Sequence, residues 1–408
     1  MFTEKDVARA QEQGRDPQAE ARLIEKGILP QRYINILTNR ELFNTLLKEI
    51  EKKVSGERDT ARAMLLHMGG IWVRNIEVKP HLFVNSESSA GKSYLVQKIS
   101  DLFPTPVKVF KTKMSNEAIT YWKQGEMKRG EWTWENKLLI LNDPKNGLLN
   151  GDTFKVMLSE GSDAVVVRNQ YAIELKMEGR PIVILTTASG QPNDEVTNRF
   201  NFVSLNETAE QTAEILKFQA RKVSKNIFPE YDSNVVAALQ FLKPVNVQIP
   251  YAEAIAGCFP IKSLAVRRYF VRFLALIQSS VAWHQFQRTE ENGFFIAEEQ
   301  DYELARLILR KIATGENVFS LTHKPRKIYE ICKSLEFKEF TISEALPHCS
   351  SVCRTHGTLG KLFGILVQVG LFTCRPDDSG TKNRPPMLYS VKDSIALELP
   401  PFDRLQND

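Results

Sequence analysis

Residues 81–93 read HLFVNSESSAGKS, an apolar run His81-Leu82-Phe83-Val84 followed by Ser86-Glu87-Ser88-Ser89-Ala90-Gly91-Lys92-Ser93. A short continuous apolar run suits a strand buried on both faces. The residues that follow, SYLVQKISDLF, place Leu95, Ile99 and Leu102 on one side of a helix. Strand, loop, Gly-Lys-Ser and helix in that order make a phosphate loop. Backbone N–H groups of Ser88, Ser89 and Ala90 cradle phosphates, Gly91 takes the backbone angles the loop needs, Lys92 reaches the terminal phosphates, and Ser93 offers its hydroxyl to Mg²⁺. The plain alternative, a serine-rich turn between strand and helix, does not account for all four features together. Two positions depart from the usual pattern. Ser86 replaces the leading glycine, which a small residue with ordinary backbone angles can do. Glu87 brings a negative charge toward the phosphates, facing either solvent or a neighbouring subunit.

Working outward, Leu138-Leu139-Ile140-Leu141 is a second buried strand and ends in Asn142-Asp143. An acid at a strand tip beside a phosphate loop serves Mg²⁺ or the attacking water, and two adjacent acids are usual. Here Asp143 is alone, and an ordinary Asn-Asp-Pro turn is the competing reading. A third strand, Ile182-Val183-Ile184-Leu185, ends in Thr186-Thr187, with Thr187 suited to sensing the terminal phosphate. Thr197-Asn198-Arg199-Phe200 opens a further strand, FNFVSL, with Arg199 at the sheet edge, within reach of a neighbour's nucleotide. Strands alternate with helices from about 80 to 205, which predicts a parallel sheet with crossover helices.

The 408 residues carry a net charge of +5 and 42% hydrophobic residues, enough for packed cores and compatible with an anionic partner without requiring one. No apolar run reaches membrane-spanning length and the N-terminus lacks a signal-peptide core, so no membrane is expected. Cys258, Cys332, Cys349, Cys353 and Cys374 form no disulfide framework, which suits the cytoplasm. The first thirty or so residues are polar and read as an arm. Thr38-Asn39-Arg40-Glu41 reads as a capping box opening a helix with Leu42, Phe43, Leu46, Leu47 and Ile50 on one face. From 206 to 312 the pattern is helical throughout, and 325–392 reads as three helices and a two-stranded ribbon, a winged helix. The expected divisions are 1–75 (N-terminal helices), 76–206 (α/β core with the phosphate loop), 207–320 (all-helical lid) and 321–408 (winged helix).

The order of these parts resembles the AAA+ ATPases of the presensor-hairpin group, which includes the minichromosome maintenance and superfamily 3 helicases. Asn198-Arg199-Phe200-Asn201 is similar to the segment that carries the arginine finger in the first of these. SSAGKS at 88–93, VMLSEG at 156–161, Arg267-Arg268 and AWHQFQR at 282–288 resemble helicase-like ATPases of mobile elements, often joined to primases, although no primase signature is visible here. The resemblance covers roughly residues 40–312. It implies ATP and Mg²⁺ as cofactors, a ring of identical subunits, hexameric by the family's habit, and a DNA helicase that replicates a mobile element beside a separate primase. It also implies that one of Arg267 and Arg268 serves as a second sensor of nucleotide.

Ala164–Arg168 and Tyr171–Lys176 read as two alternating strands around Asn169-Gln170. In ring helicases of the resembled group this hairpin enters the central channel. Arg168 and Lys176 then offer phosphate contacts and Tyr171 a stacking face for single-stranded DNA, against the alternative of an ordinary surface hairpin. Trp122, Trp132 and Trp134 among Lys111, Lys113, Lys123, Lys128 and Arg129 read equally as a nucleic-acid surface or as core. In the winged segment a helix near 355–369 with Arg375, Lys382 and Arg384 suits duplex DNA, though such modules also dock proteins. His348, Cys349, Cys353 and His356 match no zinc-finger spacing, and buried thiols are the better reading. The expectation is a ring-forming ATP-dependent DNA helicase. An ATP-dependent initiator or loader without unwinding activity is the alternative.

Overall fold

The computed structural model describes residues 29–86, 91–115, 117–161, 164–168, 171–187, 196, 199–259, 266–313, 323–335, 337–368, 371–377, 386–392 and 399–405. Residues 1–28, most of the stretch read as an arm, lie outside them. In the first half, the elements used below are α1 (Gln31–Leu37), α2 (Leu42–Glu51), α3 (Arg58–Gly69), β1 (His81–Asn85), α4 (Lys92–Ser100), β2 (Lys108–Lys111), β3 (Leu138–Asn142), α5 (Asp152–Ser159), β4 (Ala164–Arg168), β5 (Tyr171–Leu175), β6 (Ile182–Thr187) and β7 (Phe200–Ser204). Five of the strands form one parallel sheet in the order β2-β3-β6-β1-β7. The sheet expected from the alternation of strands and helices is therefore present, and β6 lies between the loop-bearing β1 and the Asn-Asp strand β3.

The period-two rule explains why these strands are apolar at every position. Leu82, Val84, Leu138, Ile140, Ile182 and Ile184 enter a core shared with α1–α4. The alternate residues Phe83, Leu139, Leu141, Val183 and Leu185 enter a second core with Trp134, Phe154 and Met157. Trp134 is fully buried, and Trp122 and Trp132 pack on it at 5.9 and 4.7 Å between ring centroids. Lys111 and Lys123 lie over the outer two rings. Trp134 thus belongs to the core.

The second half contributes α6 (Ala209–Ser224), α7 (Ser233–Leu239), β8 (Asn246–Gln248), α8 (Val266–Trp283), β9 (Glu290–Glu291), β10 (Phe294–Ile296), α9 (Glu299–Ala313), α10 (His323–Ser334), α11 (Ile342–Ala345), α12 (His356–Gln368), β11 (Phe372–Pro376) and β12 (Met387–Val391). Trp283 of α8 donates to Leu65 O at 2.8 Å and meets Trp72, Phe103 and Phe43 edge-on, so α8 joins the same core as α2 and α3. The boundaries expected at 75 and 206 therefore fall inside a single core.

Two local readings are corrected. Residues 207–320 are not all helical: β8, β10 and β9 make a small sheet in which Asn292-Gly293, at φ 52° and 81°, turn a two-residue hairpin. Asn-Gly is the usual signal for such a turn. Thr38 opens no capping box. Pro30 starts α1 early enough that Thr38 falls at its C-cap, with its hydroxyl donating to Ile34 O, while Glu41 precedes α2 without a side-chain cap bond.

Residues 323–391 form three helices against the antiparallel β11–β12 ribbon with a separate core. Cys349 and Cys353 are buried there and His348 packs edge-on against Phe337. Among the described residues no group of three or more metal-binding side chains occurs. The chain then returns to the main body. Tyr302 of α9 donates to Pro400 O at 2.6 Å, Glu303 accepts from the Phe402 N–H at 2.9 Å, and Leu399 and Leu405 are buried in the main core. No helix among the described residues is long and apolar enough to cross a membrane.

Candidate nucleotide site

Parallel pairing brings the C-terminal ends of β1, β3 and β6 to one level, with Asn142 opposite Thr186 and Thr187 opposite Asn85. At this end the chain leaves β1 into the loop. Gly91 has φ 90°, a left-handed conformation that side-chain-bearing residues rarely adopt, and an added Cβ there would meet no atom within 4 Å. Its role is conformational, and the space around it is open. Lys92 opens α4, is 7% exposed, and donates from Nζ to Ser86 O at 2.7 Å. Ser93 is exposed and donates from Oγ to Asn142 Oδ1. A lysine held within the mouth of the loop, beside an open glycine and an exposed hydroxyl, suits a phosphate-bound Mg²⁺. Glu87, Ser88, Ser89 and Ala90 lie outside the described residues.

Asn142 does more than sequence reasoning assigned to it. Its Oδ1 accepts both from Ser93 and from Thr186 Oγ1, the latter at 2.6 Å with Thr186 almost fully buried. The loop and β6 are thereby joined through one neutral acceptor. Asp143 is exposed at φ 50°, and its N–H donates to Thr186 O at 2.7 Å. The backbone of Thr187 completes β6, and its side chain lies outside the description.

Ser86 is buried and keeps a negative φ, so it fits where glycine is usual. Its hydroxyl donates to Glu207 Oε1 at 2.9 Å. Glu207 follows β7 and had no signal in the sequence, because only the pairing of β7 with β1 brings it beside the loop. Next to it, Glu57 accepts from the N–H of Asn206 and the hydroxyl of Thr60. Burial raises the Glu57 carboxyl above its ordinary value, with the charge of Glu207 adding to it and the two hydrogen bonds opposing.

Arg199 lies elsewhere. It immediately precedes β7, whose first residue Phe200 pairs with His81 at the start of β1. It is therefore at the end of the sheet opposite the loop, about 16 Å along a strand from the level of Asn85 at ~3.3 Å per residue. Its Nε donates to Ser159 Oγ at 3.2 Å. Arg268 lines the same cleft of about 230 Å³, together with Arg272, His81 and Ser159. Arg267 and Arg268 are exposed, whereas Arg272 is buried and donates to Phe200 O and Asn201 Oδ1, both at 3.3 Å. The neutral histidines behind the cleft are fixed by their partners. His81 Nδ1 accepts from the Val183 N–H, so Nε2 carries the proton and donates to Leu158 O. His67 donates from Nδ1 to Ala63 O and accepts at Nε2 from Asn201. Burial, reinforced by the charge of Arg272, lowers His81 to about 3 and His67 to about 4.

The β4–β5 hairpin forms as expected, with Arg168 paired to Tyr171. Tyr171 is 75% exposed and Lys176 is exposed. The base is fixed by a reciprocal pair in which Gln124 Nε2 donates to Lys176 O at 2.6 Å and the Lys176 N–H donates to Gln124 Oε1 at 3.0 Å. The tip, Asn169-Gln170, and the side chain of Arg168 lie outside the description. His284 and Gln285 are buried ties of the core: His284 stacks on Phe43 and Gln285 exchanges two hydrogen bonds with the backbone of Lys243. Arg375 is held in a two-point ion pair by Glu339, and Lys382 and Arg384 lie outside the described residues.

Residues 28–242 match the family model described as the MTBMA_p00010 P-loop domain, which is more than half of the chain. The chain belongs to that family, and its parallel sheet, loop and Gly-Lys-Ser helix are those of a nucleotide-binding P-loop domain. Among curated proteins none matches significantly.

Proposed function

We propose that this chain is an AAA+ ATPase of the presensor-hairpin type that assembles into a ring and unwinds DNA to replicate a mobile genetic element. The observation that carries this reading is the separation of Arg199 and Arg268 from the phosphate loop by the length of the sheet. Neither can serve the loop of its own subunit, yet both face a cleft that a neighbouring copy's nucleotide can enter. The strand order and the hairpin placed between α5 and β6 support the same reading.

In this scheme Lys92 exchanges Ser86 O for phosphate oxygens, and Asn142 keeps the Ser93 hydroxyl aimed at the metal position. Bound Mg²⁺ supplies charge neutralisation on the phosphates. Asp143 polarises water, Thr187 reads the terminal phosphate, and a neighbour's Arg199 stabilises the charge that develops in transfer. Tyr171 and Lys176, with Arg168, grip a single strand from a hairpin whose base is braced by Gln124. The C-terminal three-helix unit is read as a winged helix for duplex DNA, and a separate primase acts beside the ring.

An arginine finger is worth roughly a thousand-fold or more in turnover. Arg199→Ala should therefore bind ATP normally and hydrolyse it at a background rate. Mixing Arg199→Ala with Lys92→Ala should restore part of the activity, because each supplies what the other lacks. Normal hydrolysis by Arg199→Ala alone overturns the shared site. DNA-stimulated hydrolysis without strand displacement on a forked substrate would make the protein a loader.

A further inference from the structure

Helix α5 ends where the arginine end of the sheet meets the feet of the β4–β5 hairpin. Its last residue, Ser159, donates its one hydroxyl proton to Lys155 O at 2.9 Å. The lone pairs of that oxygen are left for a donor, and Arg199 Nε approaches them at 3.2 Å. Fixing Nε sets the plane of a guanidinium, and with it the direction in which the fork meets a phosphate. The helix end is itself anchored. Leu158 O accepts from His81 Nε2 at 2.9 Å, and the Gly161 N–H returns to Val156 O at 3.0 Å. Ser159 therefore holds Arg199 from a fixed seat.

The same helix end carries both feet of the hairpin. Gly161, at φ 60°, stands just before β4, and Gly179, at φ 83°, shortly after β5. A Cβ at Gly161 would lie 2.9 Å from both Gly179 O and Arg180 Cγ, so the two feet touch there. Arg180 completes the junction. Its Nη1 donates to Ser159 O at 2.9 Å and to Glu77 O at 3.0 Å, and its N–H donates to Glu135 Oε2 at 3.1 Å. Displacement of the hairpin thus reaches Ser159 along the backbone on one side and through Arg180 on the other.

We propose that Ser159 is a positioning residue that sets the angle of Arg199 and, through the feet of the hairpin, makes that angle depend on whether the hairpin grips a single strand. The inference rests on the shared-site reading and on the hairpin as the strand grip, and it adds to them the side chain that connects the two. Its consequence is directional: DNA held by one subunit regulates ATP turnover at the neighbouring loop that its Arg199 serves.

The test is steady-state ATP hydrolysis by the full chain, with and without single-stranded DNA, beside equilibrium binding of a fluorescent ATP analogue. Ser159→Ala should lower kcat about ten-fold, leave KM and analogue affinity unchanged, and lose most of the stimulation by DNA. Ser159→Thr keeps a hydroxyl that can bond the same carbonyl four residues back, and should restore both. Mixing Ser159→Ala with Lys92→Ala should raise turnover above the sum of the two alone, because Lys92→Ala subunits bring a well-seated Arg199 to intact loops. A local loss of structure is not repaired this way. Should Ser159→Ala fail to fold, Ser159→Cys, of similar shape with a weakly accepting sulfur, replaces it with the same expected results. Wild-type turnover and DNA stimulation in the variant, beside an inactive Arg199→Ala, overturn the proposal and leave the shared site standing. A kcat defect that mixing does not relieve, or one with full DNA stimulation, overturns it as well. Normal hydrolysis by Arg199→Ala removes the shared site, and a wild type that DNA does not stimulate removes the strand grip; either takes this proposal with it.

Discussion

Asn142→Ala tests the link between the phosphate loop and the central strand. Asn142 Oδ1 accepts hydroxyl protons from both Ser93 and Thr186. Ser93 is exposed, so water replaces its lost acceptor. Thr186 is 1% exposed, and leaving a buried hydroxyl without this acceptor costs about 1–3 kcal/mol. In a body of this size each kcal/mol lowers Tm by roughly 2–4 °C, giving a fall of about 2–12 °C by calorimetry. Turnover should fall by about ten- to a hundred-fold, as a loosened catalytic geometry usually requires. Adding Thr186→Val removes the second partner and should recover part of the stability, with a coupling of about 1 kcal/mol in the double-mutant cycle. Asn142→Asp keeps both acceptor contacts and should unfold near the wild-type temperature. A strictly additive cycle, or an Asn142→Ala protein with unchanged Tm and turnover, would refute the argument that this amide joins loop and sheet.

Three other outcomes are expected. Gly91→Ala should leave the fold intact, since its Cβ meets open space, yet weaken ATP binding about ten-fold, because a left-handed residue with a side chain costs about 1–2 kcal/mol; equilibrium titration with a fluorescent ATP analogue measures it. His67 and His81 are held neutral well below their ordinary value, so the unfolded chain takes up protons first as pH falls below about 6.5. Stability should then drop by about 1.4 kcal/mol per pH unit for each histidine until the folded forms titrate near 4 and 3, and urea midpoints that do not fall between pH 6.5 and 4 would contradict the placement. Replacing Tyr171 and Lys176 by alanine should weaken single-stranded DNA binding and reduce its salt slope by about one, while ATP hydrolysis without DNA stays unchanged; identical fluorescence-anisotropy titrations for variant and wild type would remove the hairpin from DNA binding.

The sequence made the sheet legible because its strands are buried on both faces. HLFV, KLLIL and PIVIL read as short apolar runs bounded by turn residues, whereas the apolar run Phe273–Ile277 lies inside a much longer helical pattern. Gly-Lys-Ser was legible because three chemical demands fall on consecutive residues. What could not be read depends on pairing between distant strands. Glu207 reaches Ser86 only through the β7–β1 register, and Asn142 reaches Thr186 only through β3–β6. Asn292-Gly293 carries a hairpin signal, but β9 and β10 are too short to show alternation, so the segment reads as helical from sequence. The apparent capping box at Thr38 failed for a local reason, as α1 already occupied the residues before it.

The return of the chain to α9 limits how the C-terminal unit can act. That unit leaves the body after Ala313 and is recaptured at Leu399, where Tyr302 and Glu303 hold the backbone of the tail. Between Lys392 and Leu399 stand only residues 393–398, a span of about 20 Å at full extension. A module joined by one linker can sweep a wide volume and sample many targets. One joined at both ends of the same helix can pivot about the line between its anchors and can travel little. Whatever it touches must therefore already lie at the rim of its own subunit, so the unit's sense of position is inherited from α9.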